Sequence, residues 1–242
     1  MKYTNKSHIM AQMANLAYRD RAKTAYRSLG YANHMFIDID GAQCHIVWNK
    51  DELVVCFRGT ELNESSDIKA DLNIWPDDAQ IGGKVHNGFQ NELEKLWEQI
   101  CAVIDSKLQT RKLFLTGHSL GAAMATVAAS RLIPDALFTF GSPRVGNTAF
   151  VHSSKAFSEI EHHRFVNNND IVARVPFALM GYRHHGTLHY INFYGKLRKY
   201  TYWQRVKDKV RGRWQALKNR KPFDGSDDHW IGYYMDYTRD LE

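Results

Sequence analysis

One junction constrains this chain more than any other stretch: LFLTGHSLGAAMATVAA, residues 113–129. Leu113 to Thr116 is an apolar run of strand length, and Leu120 to Ala129 continues as a small-residue helix. Gly-His-Ser-Leu-Gly stands between them. A strand that turns into a helix this abruptly needs glycine wherever a side chain would strike the neighbouring strand or helix, and Gly117 and Gly121 hold those places. The turn offers the Ser119 hydroxyl at a sheet edge, beside the first N–H groups of a helix. A buried strand feeding a close-packed helix also implies its surroundings, a sheet covered on both faces.

The rest of the chain supplies such a sheet. Ile9, Met10, Met13, Leu16 and Ala17 recur at helical spacing, and CHIVWNKDELVVCFRG (44–59) reads as a β-hairpin. Residues 89–104 carry an amphipathic helical stripe; strands follow at 112–117, 136–140, 163–167 and 187–195, with a short helix starting near Asn147. This order predicts an α/β fold, a mostly parallel central sheet with helices on both faces and only the first hairpin antiparallel. At 242 residues, 44% of them hydrophobic, residues 1–242 are expected to form one domain. No segment reaches the roughly eighteen apolar residues of a membrane span.

A serine hydroxyl needs a base within reach, and the base needs a carboxylate to orient it. In folds with this turn the acid follows the nucleophile and the histidine comes last, each after a strand. RFVNNNDIVARVP (164–176) places Asp170 after a strand and a polar turn. Of the twelve histidines, His229 in GSDDHWIGYYMDY comes after the last strand, opens an apolar helix and lies 59 residues beyond Asp170. His162, His163, His184, His185 and His189 read as surface or satisfied structural residues. Asp227 and Asp228 read as caps of the last helix.

Together, VVCFRGT (54–60), KVHNGF (84–89), LTGHSLGAAMA (115–125), FTFGSPRVGN (138–147), VNNNDIVARVP (166–176) and DDHWIGYY (227–234) resemble the class 3 lipase family of α/β-hydrolases. The motifs stand in the family's order over roughly residues 8–237. The resemblance implies Ser119 as nucleophile, Asp170 as triad acid and His229 as base, with Thr60 and the N–H of Leu120 forming the oxyanion hole. It also implies a lid over residues 61–85, in which Ile68, Leu72 and Trp75 form one face of a short helix above the serine; a fixed surface loop is the alternative. Asp67 and Asp71 make that segment less apolar than a strongly interfacial lid.

The chemistry so implied is acyl-ester hydrolysis of lipids, as a triacylglycerol lipase or a phospholipase A1-like enzyme, without metal or organic cofactor. The alternatives are a soluble esterase for short or aromatic acyl groups, and a non-catalytic protein that docks on membranes. Three cysteines, Cys44, Cys56 and Cys101, cannot all pair, and no CxxC or Cys/His spacing suggests zinc. The N-terminus lacks the apolar run of a signal peptide, which predicts a cytoplasmic protein, export without a cleaved signal being left open.

Net charge is +6, but residues 196–221 carry eleven Lys or Arg against one acid, Asp208. Within 200–221, Trp203, Val206, Val210, Trp214 and Leu217 recur at helical spacing, with Arg205, Lys207, Lys209, Arg211 and Lys218 on the other faces. Two readings follow: a helix packed on the body by its apolar stripe, or peripheral contact with an anionic membrane surface. Nucleic acid is excluded as a partner because the basic run belongs to one helix with no recognised binding module.

Overall fold

The computed structural model describes residues 2–60, 76–153, 155–218 and 227–241. Its helices are α1 (Ser7–Leu16), α2 (Lys23–Ser28), α3 (Asn87–Lys107), α4 (Leu120–Leu132), α5 (Thr148–Ser153), α6 (Lys155–Glu159), α7 (Tyr202–Lys218) and α8 (Ile231–Thr238). The main-sheet strands are β1 (Asn33–Ile39), β2 (Ala42–Trp48), β3 (Glu52–Phe57), β6 (Lys112–His118), β7 (Ala136–Phe140), β9 (Glu161–Asn167), β11 (Thr187–Ile191) and β12 (Leu197–Arg198), in the order β1-β2-β3-β6-β7-β9-β11-β12. A second small sheet joins β4 (Pro76–Asp78), β5 (Lys84–His86), β8 (Gly146–Asn147) and β10 (Tyr182–Arg183).

From β3 to β11 every neighbour in the main sheet is parallel, as a chain of strand–helix–strand units requires. This is the α/β-hydrolase arrangement the sequence predicts. The antiparallel part is larger than expected. β1 extends the first hairpin, and β12 pairs with β11 at the far edge.

Side-chain alternation divides the core. Leu53, Val55, Leu113, Leu115 and Leu137 pack under α3 and α4, while Val54, Cys56, Phe114, Phe138 and Phe165 pack against α1, α2 and α8. Both faces are therefore buried, and the central strands are apolar nearly throughout. Cys44 and Cys56 are fully buried free thiols inside these layers. The carboxyl ends of β6 and β9 open to the same edge of the sheet, where ligands of such folds bind.

Candidate active site

The turn after β6 is as tight as its glycines imply. A Cβ on Gly117 would lie 2.4 Å from the Gly121 carbonyl, and one on Gly121 would lie 2.3 Å from the Phe57 oxygen. Ser119 takes φ 58° and ψ −128°, a conformation that L-residues rarely hold outside functional turns. Its N–H donates to Phe140 O at 3.1 Å, and its own carbonyl accepts from Ala122 N at 3.0 Å, which starts α4. The side chain is 4% exposed.

Asp170 ends the polar turn after β9 and is wholly buried. Its Oδ1 accepts from the amides of Val172 at 2.9 Å and Ala173 at 3.4 Å; its Oδ2 accepts from the Tyr234 hydroxyl. His229 Nδ1 lies 3.0 Å from Oδ1 and 2.9 Å from Oδ2. A carboxylate so supplied with donors leaves the imidazole proton on Nδ1 and the lone pair on Nε2. Nε2 is buried and has no hydrogen-bond partner among the described residues, the Ser119 hydroxyl included. The structure thus joins Asp170 to His229 and leaves the basic nitrogen open.

His118 connects this pair to the serine. Its ring stacks on that of His229 at 4.4 Å between centroids. Its Nε2–H donates to His229 O at 2.7 Å, and its Nδ1 accepts from the Tyr18 hydroxyl at 2.8 Å. Burial and the neighbouring His229 hold its pKa well below the usual imidazole range, so it stays neutral. Thr60 is exposed and follows Gly59, where a Cβ would come within 3.2 Å of Ser119 Cβ. Leu120 is half-buried and is the first residue of α4. Both expected oxyanion residues therefore flank the serine.

Three supporting features escape a reading of the sequence. Gly141, at φ +57°, backs the pair so closely that a Cβ there would sit 2.8 Å from both Asp170 Oδ2 and His229 Nδ1. Tyr234 accepts from Asn167 N at 3.0 Å while it donates to Asp170. Asp228 does not cap α8, whose N-cap, Trp230, makes no side-chain capping bond. Its Oδ2 instead accepts from Asn169 N at 2.9 Å, and its carbonyl from Asn167 Nδ2 at 3.0 Å, tying the His229 segment to the Asp170 turn. The only signal for Gly141 was its place in FTFGSPRVGN, and for Asp228 and Tyr234 their place in DDHWIGYY; none of these gave the contact.

The five strand-associated histidines have partners as expected. For example, His162 meets Thr139 Oγ1 at 2.9 Å, and His163 meets Glu161 Oε1 at 2.7 Å. Ile68, Leu72 and Trp75, the residues expected in a lid, lie outside the described residues; of 61–85, the described part belongs to the β4–β5 hairpin.

The basic helix does not pack by its apolar stripe. Trp203, Val210 and Trp214 are 71%, 62% and 62% exposed, whereas Asp208 and Gly212 are buried. Asp208 accepts from Tyr190 OH and Phe193 N, each at 3.0 Å, and a Cβ on Gly212 would touch Asn169 Nδ2 at 2.8 Å. The body beneath is polar, so the polar side of α7 turns inward. Lys209, on that side, is pushed down to about 8 by burial and by Arg174 and Arg205.

Among known proteins, the family Lipase (class 3) matches residues 54–180. The secreted mono- and diacylglycerol lipase 1 of Fusarium solani is 39% identical over 118 residues, 44% of this chain and 34% of that protein. Lipase II from Rhizopus niveus superposes with a TM-score of 0.68 at 24% identity, covering 79% of this chain and 82% of that one, a likeness of fold. A triacylglycerol lipase described as having a serine protease triad for its catalytic centre gives 0.65 at 25% identity, over 77% of this chain and 79% of that one. The chain spans 34% to 41% of the length of the curated relatives it matches. The cytoplasmic assignment is corrected here, because the Fusarium relative is named as secreted; the want of an apolar run near residue 1 is not a test of compartment. With the family match spanning more than half the sequence, from β3 past the Asp170 turn, the chain belongs to the class 3 lipase family.

Proposed function

We propose that residues 1–242 act as one serine carboxylester hydrolase domain on acyl esters of lipids, with Ser119 as nucleophile, His229 as base and Asp170 as its orienting acid. The observation that carries this is the buried Asp170–His229 pair, with Nε2 unpartnered among the described residues and the ring stacked on the residue that precedes the serine. His229 takes the Ser119 proton as Oγ attacks the acyl carbon. The oxyanion is received by the amides of Leu120 and Thr60 and the Thr60 hydroxyl, about 3 kcal/mol per donor. Collapse releases the alcohol with the proton from His229, and water then cleaves the acyl-enzyme by the same base. A serine–histidine bond that is absent before substrate arrives fits this, since such contacts tighten in the Michaelis complex. Ser119→Ala should abolish p-nitrophenyl ester turnover and fluorophosphonate labelling while leaving cooperative unfolding; full turnover by that variant overturns the assignment. A protein that docks without catalysis would label in neither form.

The substrate class follows from the surface. α7 shows Trp203 and Val210 to solvent beside Lys207 and Arg211, and Trp230, next to His229, is 60% exposed. Apolar anchors flanked by cations suit an anionic lipid surface. We assign acylglycerols and phospholipids as substrates and peripheral membrane contact to residues 196–221. Pelleting with phosphatidylglycerol vesicles, reduced by salt and by Trp203→Ala, tests the contact; equal binding to neutral phosphatidylcholine at every salt concentration rejects it.

A further inference from the structure

β6 ends on His118, and its alternation puts that side chain on the same face as Phe114 and Thr116, the face that packs on α1 and α8. Two segments meet it there. Tyr18 comes from just past α1, and His229 from the three-residue turn Asp227–His229 just before α8. The hydrolytic cycle gives His118 no part, although it is 5% exposed and lies against the base itself.

Its two ring nitrogens have unlike partners. The His229 carbonyl can only accept, so Nε2 must carry the proton that it donates at 2.7 Å. Nδ1 then offers a lone pair, which the Tyr18 hydroxyl fills at 2.8 Å. With both nitrogens bonded the ring has one orientation, and in it a face of His118 covers the His229 imidazole, 4.4 Å between centroids and 30° between planes. His229 needs such a hold. Its own turn is three residues long, α8 begins without a side-chain cap, and Asp170 and Gly141 bound only the Nδ1–Cε1 edge of the ring. That edge is a pivot, and the swing about it carries Nε2 toward Ser119 or away. Charge points the same way. In turnover His229 becomes an imidazolium, and a second cation stacked on it would oppose that step. Burial and His229 keep His118 neutral. The other titratable groups around His118 are Tyr18 and Tyr234, the latter 5.9 Å away between rings, with the Arg58 guanidinium 6.0 Å from the Tyr18 ring and paired to Asp20.

We propose that Tyr18 and His118 are positioning residues for the base: the Tyr18 hydroxyl fixes the His118 ring, and His118, by its bond to the His229 carbonyl and its stacked face, holds Nε2 on the course that reaches Ser119. This rests on the hydrolytic reading, with Ser119 as nucleophile and His229 as base. Both residues act through His229 and neither on the ester.

Steady-state kinetics on p-nitrophenyl butyrate test it. Tyr18→Phe keeps the ring and loses the hydroxyl, so kcat should fall about tenfold, the worth of one hydrogen bond, with KM held within about twofold. His118→Leu removes the bond and the ring face together and should lower kcat by about a hundredfold. In His118→Gln the side-chain amide nitrogen stands close to where Nε2 stood, so donation to the His229 carbonyl returns and kcat should exceed that of His118→Leu by about tenfold. Because Tyr18 acts through His118, adding Tyr18→Phe to His118→Leu should change kcat by less than about twofold. Packing losses alone would multiply, and glutamine would not restore them. A further loss in the double variant overturns the proposal and assigns Tyr18 to the Thr60 segment, since a Cβ on Gly59 would lie 2.4 Å from the Tyr18 hydroxyl. Unchanged kcat in Tyr18→Phe, a change in KM alone, or no gain from glutamine over leucine at 118 also overturns it. If His118→Leu does not fold, unchanged kcat in Tyr18→Phe still overturns it, as does a loss of about a hundredfold or more in His118→Gln. Turnover that survives Ser119→Ala removes the hydrolytic reading and this one together, whereas failure here with Ser119-dependent turnover leaves that reading intact.

Discussion

Mild acid should destabilise this protein well above the carboxylate range. Burial is the first cause that lowers the pKa of nine of the twelve histidines, and four of them, His45, His86, His185 and His189, are held at about 4. An unfolded chain binds a proton at each near pH 6.5, whereas the native state refuses it. Their stabilising effect is therefore complete above about pH 6.5 and is lost as pH falls from there toward 4. At pH 5.5 each of the four forfeits about 1 kcal/mol relative to pH 7.5, and several kcal/mol together, against a typical total of about 5–15. His118, His162 and His184, pushed well below the usual range, act in the same direction. Urea unfolding at pH 7.5, 6.5 and 5.5 should show a steadily falling midpoint. His86 stacks on Phe89 at 4.0 Å, and neither of its ring nitrogens has a hydrogen-bond partner among the described residues, so His86→Phe should remove roughly one proton from the uptake on unfolding. A midpoint that stays level down to pH 5.5 would refute the reasoning, because it would mean these imidazoles accept protons in the folded state.

Gly141→Ala should lower ester turnover by about a hundredfold, since its methyl group must displace the Asp170–His229 pair and φ there is positive; unchanged kcat/KM would contradict the geometry. Tyr234→Phe removes one donor from Asp170 and the acceptor of Asn167 N, and should cost about 2–3 kcal/mol in urea unfolding, with reduced turnover. Asp208→Ala leaves the Tyr190 hydroxyl and the Phe193 amide without their acceptor and should loosen α7. Faster limited proteolysis within 202–218 is the expected readout; cleavage at the wild-type rate would show that other contacts hold the helix.

The strand–turn–helix at Ser119 was legible because it rests on local rules. An apolar run of strand length gives way to a small-residue helix across five residues, and the steric demand on Gly117 comes from Gly121 and Ala122, which the turn itself brings close. β1 was not legible: Ile37 alone is fully buried on an edge strand, so its alternation is faint. Nor was β12, which is two residues long and owes its existence to β11.

Periodicity determined that residues 202–218 would form a helix with unlike faces, because spacing is a property of the chain alone. Only the tertiary structure decided which face turns inward. Asp208 found two donors, the Tyr190 hydroxyl in β11 and the Phe193 amide just past it, and Gly212 met the Asn168–Asn169 turn, so the tryptophans were left outside. The same holds for Gly141 against His229 and for Tyr234 on Asp170. Each depends on what a distant segment presents across the contact, and sequence spacing carries no record of that.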